Sequence, residues 1–389
     1  MLIDYIELKR DIENVRSELE KIPKKESSNH FWMIYNSSHF FYWMGLITLP
    51  LNPYFVFSWF FLSLGIFARW TMIGHHVCHG GYDNNKYVNF HRKTFGIKTI
   101  YRRIVDWFDW WLVEAWNIEH NNLHHYYLGE EKDPDLLEEN LMFFRKSNIP
   151  FYIKRLFIIL VACFWKWVYY APNTYKYYCL NKLRLNNKSE YDIVQKQGYY
   201  RYFTVMTWVT DYRPWMNGLL KNVLLPYCFV MFMLVPSLFV CTGYLLNYDI
   251  SLSNIYCNLL LAEITTNIYS FIIIVPNHSG DDLYRFDTPV KPKSGEFYLR
   301  QIISSTNYSA GNDIIDFLHG WLNYQIEHHI FPDLSMLQYR HAMPLIKKVC
   351  LKHSIPYVQQ NVFLRLLKTV DIIIGKTSML KFNYIKRKE

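Results

Sequence analysis

Four apolar stretches, each long enough to cross a lipid bilayer as an α-helix, constrain what this 389-residue chain can fold into. A bilayer core needs about 20 helical residues, and lipid offers no hydrogen-bond partners to an open backbone. We therefore predict an all-α integral membrane protein with four transmembrane helices in two hairpins. The first stretch is the most polar of the four. The stretches cover residues 31–49, 54–74, 224–246 and 252–276.

The two hairpin tips carry no Lys or Arg, although the chain has 42 such residues. The tips read LPLNPY (49–54) and NYDISLSN (247–254). Cytoplasmic segments of membrane proteins accumulate basic residues, so both tips are expected to face away from the cytosol. The remaining segments would then form a helical cap on the cytosolic side.

The predicted spans divide the chain into three parts. Residues 1–30 predict an amphipathic N-terminal segment, residues 31–357 the membrane domain, and residues 358–389 a basic C-terminal tail on the cytosolic side. A fifth apolar run, at 153–172, is bracketed by Lys and Arg and contains an uninterrupted apolar part shorter than a span. We predict that it lies in the membrane interface or is buried in the cytosolic cap.

Composition narrows the class of protein further. The net charge of +9 suits either a basic nucleic-acid patch or a membrane protein whose charges are sorted by side. The predicted spans favour the second reading, and no nucleic-acid partner is expected. The seven Cys are singly spaced, which argues for reduced thiols and against a disulfide framework. P-loop, GxGxxG, GxSxG and HExxH motifs are absent from the sequence.

Most of the informative histidines are concentrated in three short motifs. These read HHVCH (75–79), HNNLHH (120–125) and QIEHH (325–329), and His278 follows the last predicted span. Residues four apart share one face of a helix, so the first and last histidines of HHVCH can bind one metal. The same spacing recurs in HNNLHH. The predicted topology places all these motifs on one side of the membrane.

Eight imidazoles on one side, counting only the first and last histidines of HHVCH, exceed the needs of one metal ion. Structural zinc takes four ligands and catalytic zinc three, whereas imidazole suits iron, copper and zinc alike. The Glu-x-x-His pairs of carboxylate di-iron bundles are absent. The sequence therefore predicts a nitrogen-rich site for two metals at a membrane face.

HHVCH, HNNLHH and LNYQIEHHIFP resemble the three histidine boxes of the membrane fatty acid desaturase family. The resemblance extends from the first predicted span to about Tyr357. The stretch GWLNYQIEHHIFPDL (320–334) resembles the front-end acyl desaturase branch, in which Gln replaces the first His. Gln325 and Asn277 would then be weak ligands or contacts through water, and His76 is an alternative to His75. The resemblance implies two iron ions (Fe²⁺) held by His75, His79, His120, His124, His125, His278, His328 and His329.

The same resemblance implies an oxidoreductase. Such an enzyme uses O₂ and two electrons to insert a double bond into an acyl chain of a coenzyme A ester or a membrane lipid. The sequence has no His-Pro-Gly-Gly haem motif, so electrons are expected from a separate b-type cytochrome, or from a ferredoxin with its reductase. The expected location is the endoplasmic reticulum membrane in a eukaryote or the inner membrane in a bacterium. Two alternatives stay open: a hydroxylase or oxygenase of the same superfamily, and a non-redox zinc hydrolase or receptor.

Acidic, aromatic and basic residues outside the histidine motifs are assigned more general roles. Metal-bound imidazoles need hydrogen-bond acceptors that orient them. The segment DPD (133–135) is interpreted as a Pro-centred turn, and DWFDWW (106–111) as a membrane-interface anchor. KRKE (386–389) is interpreted as a solvated basic end. Carboxylates that adjoin the histidines in sequence are the candidate acceptors: Glu119, Glu327, Asp83, Asp281 and Asp282.

Overall fold

The computed structural model describes residues 3–106, 112–198 and 218–382. Within these ranges the chain is mainly helical, and one short parallel pair joins β1 (Tyr284–Arg285) to β2 (Leu380–Lys381). The predictions for residues 107–111 and 386–389 lie outside the described residues.

The helices of the first half include two stretches of π-helix beside the histidine motifs. These are Arg69–Gly74 and Asn117–His124, and a third π-helical turn is Lys166–Tyr170. The α-helices are α1 Tyr5–Leu19, α2 Lys24–Ile47, α3 Phe57–Ala68, α4 His75–His79, α5 Ile100–Val105, α6 Val113–Trp116, α7 His125–Tyr127, α8 Leu137–Asn140, α9 Met142–Lys146, α10 Phe151–Ala162, α11 Ala171–Asn186 and α12 Lys188–Gln197.

The second half begins with a long interrupted helix and continues with shorter ones. Two π-helical turns, Leu220–Leu224 and Val230–Leu234, interrupt the first of these, and a 3₁₀ turn covers Val275–His278. The α-helices are α13 Leu225–Phe229, α14 Val235–Leu245, α15 Leu252–Ile274, α16 Gly295–Ile303, α17 Asp313–Leu318, α18 Gln325–Ile330, α19 Met336–Lys352 and α20 Val362–Ile373.

Three helical stretches of the described chain are long and apolar enough to cross a membrane. They are Phe57–His79, Leu220–Leu245 and Leu252–His278, and they coincide with the second, third and fourth predicted spans. Helix α2 covers the first predicted span, but its central NSSH (36–39) leaves it too polar to join them. Four spans in two hairpins therefore stay a prediction.

Helices α2 and α3 pack with their backbones in close approach. A Cβ atom added at Gly45 would lie 2.3 Å from the backbone nitrogen of Leu62, and one at Gly65 would lie 2.4 Å from the backbone nitrogen of Tyr42. Only glycine leaves room for this contact. The Ser58 hydroxyl adds a 2.7 Å hydrogen bond to the Thr48 carbonyl where the two helices are joined. The most polar predicted stretch is thus fixed firmly against an apolar one.

Both chain ends of the described part pack against the histidine-bearing region. Helix α1 buries Leu8, Ile12 and Leu19, as the amphipathic pattern indicates. Helix α20 lies in the predicted tail, yet its Arg365 is fully buried and donates to the Ser279 carbonyl at 3.0 Å. The packed structure therefore includes part of the predicted tail, and the domain bounds stay a prediction.

The segment predicted for the membrane interface lies beside α15. Its helix α10 exposes apolar side chains such as Leu156 and Leu160 and buries Lys154, whose Nζ donates to the Arg145 carbonyl at 2.9 Å. Just beyond α10, the Lys166 ammonium lies 2.8 Å from a carboxylate oxygen of Glu263 on α15. One face of this segment is therefore anchored to the core and the other is apolar and exposed.

Candidate metal centre

Short helical segments carry the histidines to one end of the candidate spans. His75 and His79 lie on α4, directly after the π-helix Arg69–Gly74. Gly80 ends α4 with φ of 86°, a left-handed conformation that favours glycine. The second motif lies in the π-helix Asn117–His124 and α7, and the third in α18. π-helical turns are rare and are frequently found at functional sites.

Four imidazoles form a first group that is close enough to bind one metal ion. The ring centroids of His75 and His328 are 4.7 Å apart, and those of His79 and His328 are 4.6 Å apart. One nitrogen from each of the four rings lies within 4.8 Å of the others. The group consists of His75, His79, His120 and His328.

Three more imidazoles form a second group beside the first, and His125 lies between the two. The His125 ring stacks on His329 with centroids 4.3 Å apart and meets His79 at 4.5 Å. The structure therefore brings together all eight histidines of the predicted ligand set. The second group consists of His124, His278 and His329, whose ligand atoms also lie within 4.8 Å of one another.

His76 lies outside both groups. Its ring faces Tyr339, with centroids 5.6 Å apart, and it is fully buried. His75 instead has its ring within 5.3 Å of His120 and within 4.7 Å of His79. The geometry thus favours His75 over His76 as a ligand.

Hydrogen bonds orient the two rings of the third motif so that each presents Nε2. The His329 Nδ1 lies 3.1 Å from Oε1 of Gln301, which can only accept, so Nδ1 donates. The His328 Nδ1 lies 3.1 Å from the Tyr339 hydroxyl, which donates its own proton to backbone carbonyls, so Nδ1 donates there too. Nε2 of each ring therefore keeps its lone pair, as metal ligation requires.

Gln325 and Asn277 lie where the sequence placed them, next to the second group. The Gln325 side-chain nitrogen is 2.9 Å from Nε2 of His278, while Nδ1 of that ring lies 3.2 Å from the Ser304 carbonyl. The amide oxygens of Gln325 and Asn277 are buried without a hydrogen-bond partner among the described residues. Both oxygens are thus available to a ligand or to water.

Asp133 contacts a histidine of the cluster, although the sequence analysis interpreted it only as part of a turn. Its Oδ1 accepts from Nδ1 of His124 at 2.8 Å, and its two oxygens also accept from the backbone of Gly129 and Asp135. DPD is therefore a turn, as predicted, but the turn also holds a carboxylate against a histidine. The Asp135 carboxylate itself lies within 4.8 Å of ligand nitrogens of His120 and His124.

Four of the five candidate acceptors bond elsewhere. Glu327 accepts from Asn307 and Tyr357 at 2.7 Å each. Asp83 pairs with Arg92, and Asp281 and Asp282 pair with Lys368 of α20. Glu119 is buried with neither oxygen hydrogen-bonded within the described part of the chain, and burial together with nearby Asp135 and Asp133 raises its pKa well above the usual value. Adjacency in sequence thus misidentified the acceptors.

Burial favours neutral imidazoles in this cluster. It lowers the pKa of His120, His125, His328 and His329 well below the usual value, because a charged ring loses its hydration and meets other rings. At His124 burial also disfavours the charge, but the Asp133 carboxylate outweighs it and the net pKa is raised. Neutral imidazole is the form that binds metal.

Several buried ring nitrogens lack a hydrogen-bond partner within the described part of the chain, which bears on whether the site suits a metal. Leaving a buried polar atom without a partner costs about 1–3 kcal/mol. Metal ions would satisfy these atoms together, and a set dominated by imidazole suits iron, copper or zinc better than calcium or magnesium. The donor set therefore fits two transition-metal ions. The ring atoms buried without a described hydrogen-bond partner include Nε2 of His79, His328 and His329 and Nδ1 of His120 and His125.

An apolar cavity of about 230 Å³ ends at the histidines. Its far wall comprises Leu141, Phe144, Phe157 and Val161, on or beside α9 and α10. At the end nearest the metal ligands Trp116 stacks on His120 with centroids 4.5 Å apart, and Trp165 packs behind it through Tyr170. The histidines that line this cavity are His75, His120, His124 and His278.

A second cavity reaches the cluster from another direction and is more polar. Its wall includes Arg16, Arg92, Lys93 and Lys293 together with Asp333. The histidines that line it are His79, His125 and His329. The two cavities share no lining residue.

Histidines outside the three motifs make other contacts. His30 packs edge-on against Trp321, with centroids 4.6 Å apart. His39 stacks on Tyr35, and His353 lies 2.7 Å from a carboxylate oxygen of Asp11. These rings support packing between helices.

Comparison with known proteins identifies relatives. The family model described as fatty acid desaturase matches residues 51–361. Acyl-lipid (8-3)-desaturase B of Dictyostelium discoideum is 24% identical over 273 residues, which is 66% of this chain and 51% of that protein. Delta(5) fatty acid desaturase A of the same organism is 30% identical over 112 residues, covering 28% of this chain and 24% of that protein.

A bacterial relative is named for a coenzyme A ester and not for a lipid. NADPH-dependent stearoyl-CoA 9-desaturase of Mycobacterium tuberculosis is 32% identical over 112 residues, covering 28% of this chain and 26% of that protein. The matches thus span between about a quarter and half of the length of these relatives. No solved structure is similar to the chain. The predicted family is confirmed over most of the sequence, and the chain belongs to the fatty acid desaturase family.

Proposed function

We propose that the protein is an O₂-dependent fatty acyl desaturase with a di-iron centre. The observation that carries this proposal is the gathering of eight imidazoles, seven of them buried and His278 half-buried, at an apolar cavity. An acyl chain has no polar group along its length, so a site for it must be apolar up to the reacting carbons. The family match and the desaturase names of the relatives support the same reaction.

The residues proposed to hold the irons are the two groups already described, with His125 between them. When bound, the irons would supply the activation of O₂ that removal of hydrogen from a saturated chain requires. Gln325 and Asn277 would contact this centre weakly or through water. The proposed ligands are His75, His79, His120 and His328 for one iron and His124, His278 and His329 for the other, with His125 able to reach either.

The protein's own groups would prepare the site in three ways. Asp133, Gln301 and Tyr339 fix the ring orientation of their histidines by hydrogen bonds to Nδ1. Buried Trp70 and Trp165 exclude water from the inner end of the cavity. The apolar wall would hold a chain against the histidines, which would confine the reaction to carbons at one depth.

We infer that the protein is a multi-pass membrane protein with its histidine boxes on the cytosolic side. The support is the three apolar stretches and the absence of Lys and Arg from the sequence of both predicted tips. Electrons would come from a separate carrier, a b-type cytochrome or a ferredoxin with its reductase. The membrane would be that of the endoplasmic reticulum in a eukaryote or the inner membrane in a bacterium.

Lipid analysis of a host that expresses the protein tests the reaction. Cells are fed isotope-labelled fatty acids, and mass spectrometry locates new double bonds. Labelled chains with a new double bond, absent from cells that carry His329→Ala, are expected. Hydroxylated chains without new double bonds would favour the oxygenase instead, and a purified protein with one zinc and no iron would exclude the di-iron centre.

A further inference from the structure

The outer end of the apolar cavity lies between α9 and α10. Phe144 and Phe157 meet there with ring centroids 5.4 Å apart, and both line the cavity. Phe157 is 52% exposed, whereas Trp70 and Trp165 at the inner end are buried. The cavity therefore opens at this pair of rings and closes at the histidines. We call the pair the mouth.

The surface around the mouth is apolar. Ile153 and Leu160 lie four residues before and three after Phe157, so they share its side of α10. Both are exposed, and Phe143 on α9 is 85% exposed. In water such a contiguous apolar face would be unfavourable, and it marks a contact with lipid or another apolar partner.

The mouth lies beside a candidate span. Trp165, just after α10, packs against Phe271 of α15 with centroids 6.1 Å apart, and the Asn267 side chain accepts from the Lys166 backbone at 2.8 Å. Residues 267 and 271 belong to the candidate span Leu252–His278. Helix α10, which carries Phe157, thus ends against the histidine-bearing part of that span.

The charges around the two cavities help to decide whether the acyl chain is carried by coenzyme A or by a membrane lipid. Among the described residues that line the apolar cavity, none is Lys or Arg. The nearby Lys154 turns its Nζ inward to backbone carbonyls, and Arg155 pairs with Asp371 at 3.1 Å. A coenzyme A ester carries several phosphate charges and would need cations at the mouth. One exposed cation, Lys146 on α9, lies near the mouth, whereas four basic residues border the polar cavity.

We propose that the acyl chain enters sideways from the bilayer between Phe144 and Phe157 while it is still attached to a membrane lipid. This inference rests on the proposed desaturase function and names its substrate class. The lipid's headgroup would stay at the membrane surface while its chain bends past the two rings toward the histidines. A soluble coenzyme A ester is then a poor substrate.

Photochemical labelling tests the path without relying on turnover. The probe is phosphatidylcholine with a diazirine near the methyl end of one acyl chain, mixed into phosphatidylcholine vesicles that hold the purified holoenzyme. Adducts are expected on residues of the inner wall such as Trp70 and Trp165. Phe157→Asp should reduce them by at least about tenfold, because a charge at a lipid-facing mouth opposes passage of the chain.

A matched variant controls for the added charge. Ile159 is exposed on the same helix but does not line the cavity, so Ile159→Asp should leave inner-wall labelling within about twofold of the wild type. Equal loss in both variants, with metal content unchanged, would overturn the proposed mouth. Inner-wall labelling by a diazirine coenzyme A ester or free fatty acid, but not by the phospholipid, would overturn the substrate class.

Turnover separates this inference from the proposed function. New double bonds in the phosphatidylcholine of the vesicles, formed without release of the chain, support both. Double bonds in an added coenzyme A ester or free fatty acid alone would leave the desaturase in place and refute the lipid-linked substrate. No new double bond with any of the three substrates would refute both.

Discussion

The two cavities that reach the histidine cluster differ in every property that matters for recognition. One is apolar and is lined by Leu, Phe, Val and Trp, and the other is bordered by Arg and Lys. Each is lined by its own histidines, so the imidazoles form a partition between an apolar and an aqueous compartment. For the proposed desaturase, the difference predicts that substrate and polar reactants approach the same centre from different sides.

The spacing of the histidine motifs produces this partition. His75 lines the apolar cavity and His79, four residues later, lines the polar one. His79 lies one helical turn further along the axis than His75, whereas adjacent His124 and His125 divide because successive residues on a helix are rotated by about 100°. His328 lines neither cavity and contacts both His75 and His79. Paired histidines therefore present ligands to both faces of one centre.

The largest expected effect is loss of a ligand from either side of the partition. His124→Ala on the apolar side and His329→Ala on the polar side should each reduce desaturation by more than about 100-fold, since ligand loss costs at least as much as loss of an orienting partner. Double-bond formation in a heterologous host measures this. His341→Ala, outside both groups, should retain nearly full activity, and equal loss in all three variants would show that folding was being tested.

A smaller effect is expected from the carboxylate that orients His124. Asp133→Asn keeps the shape but removes the charge that holds Nδ1, and metal affinity should fall by about 10- to 100-fold. Competition with a chelator, followed by metal analysis of the protein, measures the affinity. Glu327→Gln is the matched control, because Glu327 bonds to Asn307 and Tyr357. If both changes weaken metal binding equally, the orienting role of Asp133 is refuted.

The contrast between Asp133 and Glu327 shows what the sequence could and could not predict. Helical spacing identified the histidines because residues four apart share a face whatever the tertiary structure. The acceptors come from other segments: Gln301 lies on α16 and Tyr339 on α19. Their contacts depend on how helices pack, and no local pattern encodes that. Asp133 lies close to His124 in sequence, but the Asp-Pro-Asp pattern predicted only a turn and not the hydrogen bond to His124.

The same reasoning applies to the fold. Three predicted spans match apolar helices because long apolar runs need no tertiary information. Helix α2 is more polar and depends on close packing with α3 through Gly45 and Gly65, which hydropathy does not detect. Helix α20 was predicted as part of a tail since its surroundings are basic. Its buried Arg365 bonds Asp282 at 2.6 Å and secures the segment after His278.

Filling the apolar cavity should have an intermediate effect on turnover and none on metal. Leu141→Trp adds volume to a wall of a cavity of about 230 Å³, and desaturation of long chains should fall about tenfold because overpacking or chain exclusion costs roughly 1–3 kcal/mol. Product analysis by chain length measures it. Leu156→Trp, exposed and outside the cavity wall, should be neutral. Loss of iron in Leu141→Trp would instead indicate damage to the centre.

Reversing charge at the polar cavity should have the smallest effect. Lys93→Glu combined with Lys293→Glu should slow turnover a few-fold when electrons come from an acidic carrier protein, because rim charges mainly change the association rate. The loss should shrink at high salt and disappear with a small chemical reductant. Lys188→Glu on α12, away from this cavity, is the matched control.

A loss that persists with the chemical reductant would place the defect at the histidines, and no loss with the carrier would assign electron delivery to another surface. In the second case the polar cavity would admit water and protons only, and the centre would still have one apolar and one aqueous face.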